Sequence, residues 1–345
     1  MSTPQIRQVI ARLADGHTLT EDEIRGVLDA MTDGAASPVQ MGALLMALRV
    51  RGETVEEITG AAQGLRARML RISAPHGAID IVGTGGDRHG TYNVSTCASL
   101  VAAGAGVPVA KHGNRSVSSL SGASDVLAAL GVKLDTPPQT AERAVREAGV
   151  CFLWAPMHHP AMKAWAPVRA ELGIRTLFNL LGPMCNPAGV GAQVLGVFDR
   201  RWLEPLAHVM RNLGSQRVWV VHGADGLDEL TTTGPTHVAQ LDDGDITVFE
   251  VVPEDAGLPR ASLADLKGGD AATNARAIRD VLAGIPGPFR DIVVLNAAAA
   301  MIVAGRAASL ADGVEQAARS IDEGRAAAAL DRLVAITNSD GAPAG

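Results

Sequence analysis

Four short stretches concentrate the residue types that could do chemistry. The first, "AIDIVGTGGDRHGTYNVST" (78–96), passes from an apolar strand into Gly83, Gly85, Gly86 and Asp87, then reaches Asn93, Ser95 and Thr96. Glycines let backbone N–H groups approach an anion closely, and a helix opening near Asn93 would add its positive end. A tight turn with no ligand would use the same glycines. The spacing is not a P-loop, because no Gly-Lys-Ser/Thr follows, and it is not GxGxxG. The second, "KHGNRSVSS" (111–119), packs a lysine, an imidazole, an amide, an arginine and hydroxyls into one run. Lys111 could meet a phosphate as a point charge and the serines could donate hydrogen bonds. An ordinary solvated loop is the alternative; its place after a strand beside the glycine loop favours the anion.

The third, "HGADGLDELTTTG" (222–234), carries adjacent carboxylates, Asp228 and Glu229, at a strand end. Such a pair with nearby hydroxyls suits a hard cation such as Mg²⁺ bridged to phosphates, and taken alone it equally reads as a polar loop. The fourth, "APMHHPAMKAWAPVRAELGIRTLFNLLGP" (155–183), holds His158, His159, Arg169 and Arg175. Adjacent histidines without a third ligand do not make a metal site. Arg169 could clamp a carboxylate through its planar guanidinium or serve in a surface ion pair.

These stretches need elements to position them. The first seventy residues read as four amphipathic helices, with Ile6, Val9, Ile10 and Leu13 on one face of the first. Thr20-x-x-Glu23 and Thr54-x-x-Glu57 are capping boxes, and Ser37-Pro38 opens the third helix. After Pro75 short apolar runs alternate with helical patterns. Strands are expected at 78–82, 107–110, 132–134, 150–154, 193–197 and 217–221, and "THVAQL" and "ITVFEV" read as a hairpin. From Asn274 onward the chain reads as helical. The expected fold class is α/β, with a small N-terminal helical bundle domain (1–72) and a larger domain (73–345) built on a mostly parallel sheet flanked by helices. Segment 158–183 is expected to pack with the helical domain.

Composition bounds the partners. The 345 residues are 47 % hydrophobic and only 3 % aromatic, so the core must be mainly Ala, Val, Leu and Ile. A net charge of −7 argues against a surface built for nucleic acid. Cys97, Cys151 and Cys185 form no CxxC pair, which fits a reducing compartment. The N-terminus lacks the pattern of a secretory leader. The longest apolar run, "IVVLNAAAAMIVAG" (292–305), is too short and alanine-rich to span a bilayer. The expected setting is the cytoplasm.

Taken together, "GTGGD…TYNVST", "KHGNRSVSS", "VRAELGIRTLFNLLGP…NP" and "DGLDEL" resemble the anthranilate phosphoribosyltransferase family, across nearly the whole chain and in order. The resemblance implies transfer of phosphoribose from phosphoribosyl pyrophosphate to the amine of anthranilate, with release of pyrophosphate, the second step of tryptophan biosynthesis from chorismate. It implies Mg²⁺, two ions per site, and a homodimer joined through the helical domains. By position it assigns Gly83, Thr84, Gly85, Gly86, Asp87, Thr91, Asn93, Ser95, Thr96, Lys111 and Ser119 to the phosphoribosyl donor. Ser95, Asp228 and Glu229 match the metal contacts. Gly83, His112, Asn114, Ala155, Pro156, His159 and Arg169 match the anthranilate contacts. His112 is a candidate proton acceptor or equally a structural hydrogen-bonding group. Arg88, Leu120 and Ala128 depart from the family pattern. A pyrimidine-nucleoside phosphorylase of the same fold is the rival enzyme, and a nucleic-acid-binding relative the rival of another class.

Overall fold

The structure is a computed structural model that describes residues 3–85, 89–114 and 121–339. Gly86, Asp87, Arg88, Ser119 and Leu120 lie outside the described residues. The chain opens with α1 (Thr3–Ala14), α2 (Glu21–Thr32), α3 (Pro38–Arg51) and α4 (Val55–Arg68). Helices α2, α3 and α4 begin with reciprocal capping boxes on Thr20/Glu23, Ser37/Gln40 and Thr54/Glu57, which satisfy amides that would otherwise have no partner. Glu57 does more than cap. It is fully buried, accepts from the Leu19 amide at 2.9 Å and pairs with Arg51, so it ties three links of the helical region together.

Then come β1 (Ile79–Gly83), α5 (Val94–Gly104), β2 (Val109–Gly113), α6 (Ala123–Ala129), α7 (Pro138–Glu147) and β3 (Val150–Trp154). The next segment holds α8 (Ala155–His158), α9 (Ala166–Leu172) and α10 (Leu177–Met184), followed by β4 (Ala192–Gly196), α11 (Leu203–Asn212) and β5 (Arg217–Gly223). The hairpin β6 (Thr236–Asp242) and β7 (Asp245–Val251) and helices α12 (Ala271–Leu282), α13 (Pro288–Val303), α14 (Leu310–Asp322) and α15 (Arg325–Ser339) complete it. The strands form one sheet in the order β3-β2-β1-β4-β5-β6-β7, parallel through β5 and antiparallel beyond it. Asp243 (φ 45°) and Gly244 (φ 101°) turn the hairpin, both in the positive-φ region that a two-residue type I′ turn requires.

The strand expected at 132–134 does not form. Gly131, at φ 100°, closes α6 instead: its amide donates to Ala128 O (3.0 Å) and the Val132 amide to Leu127 O (2.9 Å). This is the paired-bond helix stop that buries the apolar residue just after the glycine, and Val132 is buried. Strand β2 also runs three residues further than expected, so Lys111 and His112 are strand residues rather than the start of a loop.

Among the described residues the buried apolar side chains fall into two clusters. One joins α5, α13 and α15 to the sheet, with α13 enclosed on nearly every side. The other gathers α1–α4, Trp165, Val168 of α9, the apolar residues of α10, and one face of β4–β6. Trp165 Nε1 donates to Thr32 Oγ1 (2.9 Å), and Leu70 and His158 exchange bonds, the Leu70 amide to His158 O (2.8 Å) and His158 Nδ1 to Leu70 O (2.9 Å).

Candidate active site

The strand order reverses between β1 and β4, because β2 and β3 extend to one side of this pair and β5 to the other. A crevice opens at such a reversal, outside the carboxyl ends of the strands. Here the two facing residues are Gly83 of β1 and Gly196 of β4, partners in register. The loop after β5 crosses this point. A Cβ on Gly83 would collide with the Asp228 carboxylate, and one on Gly196 with the Asp228 backbone. Neither glycine has positive φ, so both are needed for close approach rather than for an unusual turn.

The carboxylates are held by the elements opposite. Asp228 Oδ2 accepts from the Gly85 amide at 2.6 Å, and Glu229 Oε1 from the Ser95 amide at 3.2 Å. Ser95 sits in the first turn of α5, where an anion is favoured by the unpaired amides and the helix dipole. The β1 loop is further tied to β4: Thr84 donates through its amide to Gly196 O (2.8 Å), and its Oγ1 accepts from the Phe198 amide (3.1 Å). The described amides of the glycine loop are therefore engaged with the protein itself, one of them with a carboxylate.

Lys111 lies beneath this assembly and is buried. Its Nζ donates to Ile81 O (2.6 Å) and Ser95 Oγ (3.2 Å). Burial lowers its pKa, opposed by Asp80, Glu229 and Asp228. Burial pushes the Asp80 carboxyl up to about 6, against the pull of Lys111 and the hydrogen bonds that it accepts from Asn186 Nδ2 (2.7 Å) and the His112 amide (3.2 Å). Thr96 is buried too, and its hydroxyl has no hydrogen-bond partner among the described residues. It lines a cavity of about 10 Å³ with Lys111, Leu127 and Cys151, so its side chain faces the interior. Thr91 pairs as a β-bridge with Lys267.

The expected acceptor residues gather at the ends of β2 and β3, where Gly113 and Trp154 are partners in register. Asn114 follows one and Ala155 and Pro156 the other; Asn114 and Pro156 are exposed. His112 Nδ1 faces the Gly182 carbonyl at 3.1 Å; a carbonyl only accepts, so this nitrogen carries the proton. His112 Nε2 faces His159 Nε2, 3.2 Å away. Burial lowers the His112 pKa well below the ordinary value and takes His159 to about 4, so both rings are neutral at pH 7. Arg169 lies with its guanidinium 5.4 Å from the Phe178 ring centre and has no carboxylate partner among the described residues. Arg175 stacks on Phe198 at 4.0 Å.

Two asparagines that the sequence reading passed over support the site. Asn274 Nδ2 donates to Asn93 Oδ1 (2.9 Å), while its own Oδ1 accepts from the Gly269 amide (2.8 Å). Asn296 of α13 bonds both backbone groups of Leu230, next to Glu229. For Asn296 the only signal in the sequence is an amide inside an apolar helical run, which is costly to bury unless it is bonded; Asn274 lies in a polar helix start and carries no such signal.

The donor set Ser95 Oγ, Asp228 and Glu229 is all oxygen, as a hard cation completed by phosphate and water prefers. Among the described residues no group of three His, Cys, Asp or Glu side chains is arranged to hold a metal. None of the described helices is long and apolar enough to cross a membrane.

Comparison with known proteins bears on the family and the fold. The glycosyl transferase family α/β domain matches residues 76–327, and the helical bundle domain of that family residues 7–69. An anthranilate phosphoribosyltransferase from Rhodopseudomonas palustris (strain BisB18) is 61 % identical over 333 residues, covering 96 % of this chain and 98 % of the relative. The crystal structure of anthranilate phosphoribosyltransferase from Thermus thermophilus superposes with a TM-score of 0.90 at 45 % identity, covering 95 % of this chain and 99 % of that one. The Saccharomyces cerevisiae enzyme in complex with PRPP and Mg superposes at 0.89 with 27 % identity, covering 97 % and 98 %. With close relatives along almost its whole length and both domains matched in order, the chain belongs to the anthranilate phosphoribosyltransferase family.

Proposed function

We propose that the chain transfers the 5-phosphoribosyl group from phosphoribosyl pyrophosphate to the amine of anthranilate, giving N-(5-phosphoribosyl)anthranilate and pyrophosphate in tryptophan biosynthesis. One observation carries this reading: Asp228 and Glu229 meet the glycine loop and the α5 N-terminus at the β1/β4 reversal. Asp228, Glu229 and Ser95 would hold Mg²⁺, two ions per site in our reading. When bound, Mg²⁺ offsets the negative charge of the pyrophosphate.

The remaining work falls to the chain. As the bond from the anomeric carbon to pyrophosphate weakens, the ring gains positive character and the departing oxygens gain negative charge. The Gly85 and Ser95 amides, each now donating to a carboxylate, are donors that a phosphate oxygen can take over. Fixed donors at developing charge lower the barrier. Lys111 supports this by holding Ser95 Oγ in place from below. Anthranilate presents an aromatic amine already uncharged at neutral pH, so it needs placement more than deprotonation. Arg169 would fix its carboxylate and Asn114 its polar edge, with Ala155, Pro156 and His159 along the channel. His112 acts here as a positioning group, buried with Nδ1 on the Gly182 carbonyl and Nε2 against His159.

We further propose a boundary near residue 72, with segment 158–183 packing with the helical domain; Trp165 and Phe178 share a core with Ile6 and Leu44. A homodimer through the helical domain is supported by a groove of about 530 Å³ between α1 and α3, lined by Ile10, Ala11, Ala14, Val39 and Ala43 with Arg7, Ser37 and Gln40 beside them. The cytoplasm is the proposed setting, supported by three buried free thiols.

The test mixes protein, Mg²⁺, phosphoribosyl pyrophosphate and anthranilate and follows the loss of anthranilate fluorescence. The wild type is expected to consume anthranilate, and Asp228→Asn with Glu229→Gln to be slower by about a hundredfold or more. Phosphorolysis of a pyrimidine nucleoside in place of this transfer would favour the rival enzyme.

A further inference from the structure

We propose that Asn296 is a positioning residue for the Glu229 carboxylate, acting through Leu230, from which it is 66 positions away in the chain. The inference rests on the reading that Asp228 and Glu229 hold the cation that accompanies the phosphoribosyl donor. Asn296 lies in α13 and is fully buried among Val, Leu and Ala. Its Oδ1 accepts from the Leu230 amide at 3.0 Å, and its Nδ2 donates to Leu230 O at 2.8 Å and to its own helix at Ile292 O, 2.9 Å. One side chain thus pairs with both backbone groups of a single residue, as a neighbouring strand would. The Leu230 N–H belongs to the same rigid peptide plane as the Glu229 carbonyl. Fixing that plane from α13 sets the direction in which the loop delivers Glu229 to Ser95.

The loop is pinned on its other flank from within itself. Asp225 accepts from the Thr231 and Thr233 hydroxyls, each at 2.6 Å, and from the Leu227 amide at 3.2 Å. That network shapes the loop but does not attach it to the sheet-covering helices. Asn296 makes the attachment. The amide also satisfies the buried N–H and C=O of Leu230, so its loss costs stability as well as position, and the two effects must be separated. Groups that bond a metal ligand directly change metal affinity by about 10–100-fold when removed, and Asn296, acting through the residue after Glu229, is expected at the low end of that range.

The experiment measures binding of phosphoribosyl pyrophosphate to the full chain by calorimetry across a Mg²⁺ series. Asn296→Leu keeps the branched outline, adds some bulk and removes the amide. Asn296→Ser can still bond the helix carbonyl four residues back and loses the Leu230 bonds. Leu282→Ala, in α12, serves as a control for general destabilisation, and Asp228→Asn with Glu229→Gln tests the underlying reading. The Mg²⁺ concentration for half-maximal donor binding is expected to rise about tenfold or more in the Asn296 variants. It stays at the wild-type value in Leu282→Ala. A folded Asn296→Leu or Asn296→Ser protein with wild-type Mg²⁺ dependence overturns the proposal, as does an equal rise in Leu282→Ala. If the double carboxylate variant binds donor with unchanged Mg²⁺ dependence, the metal reading falls and the role of Asn296 with it.

Discussion

At Gly196 a missing side chain decides where a carboxylate can stand. The Asp228 backbone occupies the space that a Cβ would need, and backbone cannot rotate aside as a side-chain tip can. Gly196→Ala is therefore expected to push the β5 loop off the sheet, costing about 1–3 kcal/mol of stability by overpacking and displacing Asp228 from the Gly85 amide. Gly234, in the same loop, has nothing within 4 Å of the point where a methyl group would sit, and no positive φ. Gly234→Ala should melt and turn over like the wild type, so thermal melts and the fluorescence assay on the two variants separate local packing from glycine loss in general. At this scale the polar clusters were legible: Asp228, Glu229 and Lys111 announced themselves by type and by their place at strand ends, and Ser95 by its place at a helix start. Their pairing was not, because Gly85 and Asp228 are 143 positions apart and no local pattern couples them. Asn274 and Asn296 escaped for a different reason: a buried amide leaves no periodic trace.

At the scale of elements, residues 132–134 and 111–112 mark the limits of reading apolar runs. Val132 to Leu134 looked like a short strand, but the glycine before them closes a helix and uses Val132 as its apolar plug. Lys111 and His112 looked like loop because they are polar, yet the strand continues through them and buries both. Burial has a measurable consequence for the neighbouring His159. Its pKa falls from the ordinary 6.5 to about 4 because the ring is desolvated, with a further push from His158. The unfolded chain takes up this proton near pH 6.5 while the folded protein resists it until about pH 4. More protons bound in the unfolded state means that stability rises with pH in this window and is lost on acidification. The shift corresponds to an effect on the order of 3 kcal/mol. Asp80 works in the opposite sense, since its raised pKa makes the folded state bind a proton below about pH 6. Comparing wild type with His159→Gln cancels the Asp80 contribution. The stability of the wild type relative to this variant should fall between pH 7 and pH 4.5, read from denaturant melts; a difference constant across that range would contradict the assigned neutral ring.

For the whole molecule, the helical region has two apolar faces with different fates. One is spent inside: Ile6, Leu13, Ile24, Leu44 and Leu48 are buried against one another and against Trp165 and α10. The division into helices followed by alternating strands and helices was readable from capping boxes and hydrophobic period, because those signals are local. The second face is harder to read. Val39 and Val50 of α3 are 79 % and 80 % exposed, and the groove beside Val39 is lined mostly by small and apolar residues of α1 and α3. Isolated exposed valines are ordinary, but Val39 stands at a largely apolar groove and Val50 is exposed further along the same helix, surface of the kind that is covered by association. A twofold dimer would apply this same patch to its copy, so each substitution acts twice at one interface. Val39→Asp with Val50→Asp places four carboxylates per dimer in that contact while leaving the inner face of α3 untouched. Light scattering coupled to size exclusion is expected to give a dimer mass for the wild type and a monomer mass for the double variant, with unchanged helical content by circular dichroism. A wild type that elutes as a monomer, or a double variant that stays dimeric, would remove the α1/α3 face as the joint between copies.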